Sequence, residues 1–138
     1  AEWRFEMMER WQKQSLWDGD DETVIEDQEV GLTKRTYSPI GGAYYSARLA
    51  VLEYLKSIGR CAKVLCVRDL SGEYWAPLGT WVIREASHVS FATAPVRVCT
   101  LADATAAAAA LLRTNFWMPH AKMLRDIRQQ NTLSDFFS

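Results

Sequence analysis

The sequence predicts a small mixed domain, α/β or α+β, with a few strands packed by helices and a flexible C-terminal peptide. Three observations carry that expectation. Residues 43–60 form an amphipathic helical stretch, residues 62–70 are a valine- and leucine-rich run, and an alanine-rich helix follows Thr100. Strand-like and helix-like segments in alternation indicate a sheet covered by helices. At 138 residues and 49% apolar, the chain is long enough to bury one core. No apolar run reaches the length of a membrane span and no basic-then-apolar leader opens the chain. We therefore expect a cytoplasmic protein with no membrane partner.

Residues 1–17 place Trp3, Met7, Met8 and Trp11 at helical intervals, which predicts an amphipathic helix docking onto a preceding region. The first residue is Ala1, close to that helix, so we expect the chain to be the C-terminal part of a longer protein. Residues 18–39 are acidic and contain glycine, and read as a linker or loop. Gly41 and Gly42 then break the chain before the clearest helix, 43–60, with Gly59 where a C-terminal cap belongs. Residues 62–70 (AKVLCVRDL) predict a strand, TWVI at 80–83 a second and VRVC at 96–99 a third. Thr100 and Asp103 have capping-box spacing ahead of the alanine-rich helix, and Pro119 suits the first turn of a last helix over 119–129.

Charge is uneven along the chain. Residues 1–29 carry ten acids against three bases, a net −7, and residues 30–138 carry seven acids against thirteen bases, a net +6. A basic body beside an acidic stretch is compatible with work near nucleic acid and equally with an ordinary solvated surface. Cys61, Cys66 and Cys99 are odd in number and lack metal-ligand spacing, so buried reduced thiols are expected, with Cys61 and Cys66 on opposite sides of their strand.

Arg48 is the misplaced charge. On a helical wheel it falls with Tyr44, Val51, Leu52 and Leu55, opposite the polar side of Ser46, Glu53, Lys56 and Arg60. A cation on a buried face is either clamped by a carboxylate, for which Asp69 and Glu85 are candidates, or lines a cleft. In the second case Gly41, Gly42, Tyr44 and Arg48 form an anion or phosphate site at the helix start. Glu85 and His88 stand three apart, but no second carboxylate–histidine pair accompanies them, and no metal or cofactor is expected in this fragment. No nucleophile–base motif, Walker loop or zinc-protease signature appears, so catalytic residues are unknown.

The chain ends QNTLSDFFS. Gln130, Leu133, Phe136 and Phe137 are spaced Q-x-x-L-x-x-F-F, and one tight turn would project the three apolar side chains together as a plug. Burying them would contribute on the order of 5 kcal/mol gross, much of it offset by ordering the tail. The competing reading is a hydrophobic tail folded onto its own domain. The pattern resembles the PIP box, the motif by which replication and repair proteins dock on the sliding clamp PCNA, and all four defining positions match. The resemblance implies that Gln130 enters a small polar pocket while Leu133, Phe136 and Phe137 fill an apolar one.

The body resembles the C-terminal domain of the archaeal Nre family, in GGAYYSARLAVLEYL at 41–55 and YWAPLGTWVIRE at 74–85. That resemblance implies a domain over 40–128 followed by a PIP-box tail over 129–138. It further implies a role in DNA repair and the DNA-damage response, with recruitment to PCNA and a nucleoid-associated location. DNA would be contacted directly or through the clamp. It also implies a cysteine-based zinc site in an N-terminal region that nothing in this chain matches. Lys122, Arg125 and Arg128 precede the hook and are read as a solvated helix face or as a basic stripe toward DNA or the clamp. Two other functions stay open. One is a nuclease or phosphate-handling enzyme built on the anion site with Arg84 and Glu85, and the other is a scaffold binding through the 1–17 segment.

Overall fold

A computed structural model of the protein describes residues 4–12, 22–30, 34, 36–70, 79–112 and 114–129. Over these residues it is a mixed α+β domain, with one three-stranded sheet and four helices. Strand β1 (Arg4–Gln12) is central, paired antiparallel with β2 (Glu22–Val30) on one side and parallel with β3 (Lys63–Leu70) on the other. In this register Met7 stands between Asp27 and Cys66, and Glu6 between Gln28 and Leu65.

Helices α1 (Gly42–Ser57) and α2 (Trp81–Ala92) cover one face of the sheet, where Met7, Tyr44, Ala47, Val51, Leu55 and Ile83 form the larger core. Helices α3 (Leu101–Leu111) and α4 (Lys122–Gln129) cover the other, with Trp117, Ala121 and Leu124 packed against Leu65 and Val67. Neighbouring residues of a strand point to opposite faces, so Met7 belongs to the first layer and Glu6 to the second.

Several expectations are corrected here. Residues 4–12 are a strand, not part of a helix over 1–17. The helical reading took its spacing from Trp3, Met7, Met8 and Trp11, but a central strand buried on both faces shows no simple alternation. Met7 is 2% exposed and Glu6 1%. The linker over 18–39 contains β2, two of whose acids, Asp27 and Glu29, pair with Lys34 and Arg48 rather than being left to solvent. TWVI is not a strand: Gly79 at φ +75° and Thr80 turn the chain, and Trp81 opens α2. VRVC forms no strand either, and Val96 and Val98 are exposed. The last helix starts at Lys122, and Pro119 lies in the turn before it.

Other elements match their reading. α1 ends in a Schellman turn, with Gly59 at φ +62°, its amide donating to the Lys56 carbonyl and the Arg60 amide to that of Leu55. Thr100 caps α3 by accepting the Asp103 amide at 3.1 Å. Of the three thiols expected to be buried, only Cys66 is partly so, while Cys61, which precedes β3, and Cys99 are exposed. Apolar surroundings push the Cys66 thiol up to about 12.

Candidate functional site

The inward arginine is clamped, and its partner is Glu29 of β2, neither Asp69 nor Glu85. Arg48 Nε lies 2.5 Å from Glu29 Oε2 and Nη2 donates to Oε1 at 3.0 Å, a bidentate pair. The Tyr44 hydroxyl, one turn earlier, donates to Glu29 Oε2 at 3.3 Å. The carboxylate is 2% exposed while the guanidinium keeps 30%, so the pair sits at the rim of the first layer. Burial, then the Glu29 charge, raise the Tyr44 hydroxyl above its ordinary range, and the hydrogen bond to Glu29 raises Arg48. Lys34 completes the group, 5.1 Å above the Tyr44 ring and bonded to Asp27.

The glycine pair has local causes. Gly41 adopts φ +68°, a backbone region that disfavours a side chain. Gly42 meets α2, because a Cβ there would lie 2.5 Å from Thr80 Cγ2. Thus Tyr44 and Arg48 converge on Glu29, while Gly41 and Gly42 shape the turn and the α1–α2 crossing. Of the four residues expected at an anion site, Tyr44 and Arg48 are engaged with Glu29. Arg84 and Glu85 pair with each other at 3.3 Å on the surface, and His88 Nε2 contacts Glu53 Oε2 at 2.9 Å. Among the described residues no group of three metal-ligating side chains gathers.

At the other face, α4 is set by a buried carboxylate that sequence reading missed. Glu6 Oε1 accepts the Lys122 amide at 2.8 Å and Oε2 the Met123 amide at 2.6 Å. A carboxylate against the positive end of a helix, satisfying two of its orphan amides, fixes where that helix starts. Met123 and Leu124 turn inward, leaving Lys122, Arg125 and Arg128 exposed along the outer side. Arg125 also donates to the Pro119 carbonyl at 2.8 Å, tying the helix to its entering turn. α4 ends at Gln129. Gln130, Leu133, Phe136 and Phe137 follow and lie outside the described residues. The signal that could have revealed Glu6 is indirect: it sits between Phe5 and Met7, where an acid needs a donor close by, whereas Glu29, in the acidic run EDQEVG, carries no such signal.

A small mixed sheet with helices on both faces, cross-tied by two buried carboxylates, defines an α+β module. The model of the family described as "Archaeal Nre, C-terminal" matches residues 29–136. The chain belongs to the archaeal Nre family and carries its C-terminal domain. It is 34% identical over 133 residues to the DNA repair protein NreA of Archaeoglobus fulgidus, covering 96% of this chain and 32% of that protein. Against NreA of Haloferax volcanii it is 34% identical over 137 residues, 96% of this chain and 30% of that one. Against NreB of A. fulgidus it is 34% identical over 103 residues, covering 74% and 26% respectively. The chain thus spans about a third of the length of the NreA relatives. No solved structure matches it.

Proposed function

We propose that this chain is the clamp-docking end of a DNA-repair protein, tethered to PCNA by Gln130, Leu133, Phe136 and Phe137. The observation that carries the reading is the complete Q-x-x-L-x-x-F-F pattern beginning one residue after α4. Its relatives, which are named DNA repair proteins, support the repair role. In this reading the tail is a hook on a structured base. The hook raises the local concentration of the body at clamp-loaded DNA, and the exposed cations of α4 lie beside the clamp surface or the DNA it encircles. The protein works in the cytoplasm at the nucleoid. No helix among the described residues is long and apolar enough to cross a membrane. Arg48 is held by Glu29, which weighs against the phosphate-handling alternative.

The test is calorimetric titration of the chain into archaeal PCNA beside the Phe136→Ala/Phe137→Ala double variant. Micromolar binding by the parent and none by the variant is expected. Equal binding by both would move the contact to the body, and no binding by either would remove the clamp from the reading.

A further inference from the structure

The turn that leads into α4 presents an aromatic ring to solvent. Phe116 is 54% exposed, although its neighbour Trp117 is buried in the second layer. The turn is held by its own hydrogen bonds. The Phe116 amide donates to Thr114 Oγ1 at 3.1 Å, the Met118 amide to the Asn115 carbonyl at 3.1 Å, and the His120 and Ala121 amides both to the Trp117 carbonyl at 3.1 Å. Four residues on from Phe116, the exposed His120 ring lies nearly parallel to it, at 23° with the centroids 6.5 Å apart. Arg125 reaches back to the same turn, where it donates to the Pro119 carbonyl. Arg128, on the following turn of α4, is exposed as well. The partner of Arg125 is a neutral carbonyl, and among the described residues no carboxylate pairs with either guanidinium. Asp126 between them is partly buried, and Lys122 borders a separate recess with Glu26 and Asp27.

We infer that this surface binds single-stranded DNA, with a base stacked on Phe116 and the phosphates beside it drawn to Arg125 and Arg128. An apolar ring next to uncompensated cations matches a polyanion that also carries flat apolar faces, and a single strand supplies both. A duplex offers the charge but hides its base faces in the stack, which would leave Phe116 without a role. Arginine suits such a surface better than lysine, because its planar guanidinium stacks as well as pairs. The turn is already ordered by its backbone, so little of the protein has to be fixed on binding. The inference rests on the repair reading for its choice of DNA and is independent of the clamp hook.

Fluorescence anisotropy of a labelled oligothymidine of about 12 nucleotides, titrated with the 138-residue chain at low salt, tests this. Saturable binding is expected. Phe116→Leu keeps an apolar side chain but loses the ring, and should weaken binding roughly tenfold without altering its salt dependence. Arg128→Gln should weaken it and lower the slope of log affinity against log salt by about 0.7. Both positions are exposed, and the circular dichroism spectrum should not change. A duplex of the same length should bind more weakly and be indifferent to Phe116→Leu. The Phe136→Ala/Phe137→Ala variant should bind the oligonucleotide as the parent does, so failure of this inference and failure of the clamp reading are separate results. No binding by the parent overturns the inference, and so does binding that ignores both substitutions or is lost with the tail phenylalanines. Equal binding of duplex and single strand, sensitive to Arg128 alone, would reduce the surface to a phosphate contact and overturn the single-strand assignment.

Discussion

Glu6 on the central strand and Met123 at the start of the last helix are 117 residues apart in sequence, yet Oε2 of the first lies 2.6 Å from the amide of the second. The other oxygen holds the Lys122 amide. One side chain therefore satisfies two amides of a helix start and fixes α4 to the middle of the sheet.

Glu6→Ala removes both acceptors at a side chain that is 1% exposed, leaving the two amides without this partner. A loss of about 2–4 kcal/mol is expected in urea unfolding. Glu6→Gln, which keeps one acceptor oxygen, should cost less than half of that. Hydrogen exchange at Lys122 and Met123 should rise well before global unfolding does. A Glu6→Ala protein within about 0.5 kcal/mol of the parent would mean the cap contributes little.

The Arg48–Glu29 pair should be asymmetric under mutation. Arg48→Ala strands a carboxylate that is 2% exposed, with an expected cost of about 3 kcal/mol, whereas Tyr44→Phe removes only a 3.3 Å hydrogen bond and should cost about 1 kcal/mol. Replacing both members of the pair by methionine should recover most of the single-variant loss, because the Glu29 carboxylate is then no longer left buried without its guanidinium. Urea midpoints of the single and double variants measure this. Additive losses would show that the two residues act independently.

Cys66 makes stability depend on alkaline pH. Its thiol ionises near 9.0 in an unfolded chain and is pushed up to about 12 by burial. Above pH 9 the unfolded state releases this proton while the folded state retains it, so stability falls as pH rises from 9 toward 12. The slope is up to about 1.4 kcal/mol per pH unit. Comparing Cys66→Ala with the parent between pH 8 and pH 11 isolates that contribution from the one at Tyr44, which has the same sign. In native protein at pH 8, Cys61 and Cys99 should react promptly with a thiol reagent and Cys66 slowly. Equal rates for all three would contradict the burial of Cys66.

Legibility followed how locally each element is determined. α1 and α3 carry their own start and stop signals, in Gly41, Gly59 and Thr100, and were readable from them. β3 was readable because its apolar residues are consecutive. β1 and β2 were not, because the residues that make them strands are elsewhere. Glu6 is tolerated by α4, and Asp27 and Glu29 by Lys34 and Arg48, which are seven to 117 residues away. The site followed the same rule. That Arg48 needed a partner was visible on the helical wheel, but its identity depended on a strand whose acidic sequence looked like a loop.

The Glu6 tie also governs the order in which this domain can be completed. β1 leaves the ribosome first among the described elements and α4 last, yet the second covering layer of the sheet is complete only when α4 joins α3. Until then a newly made chain presents the Glu6 carboxylate without its two helix-start amides, and Leu65 and Val67 on a face only partly covered. Folding therefore waits for nearly the whole domain to be synthesised, as expected of contacts so distant in sequence. A translation product cut short before Lys122 would lack the helix that completes the layer, and would be a substrate for proteolysis.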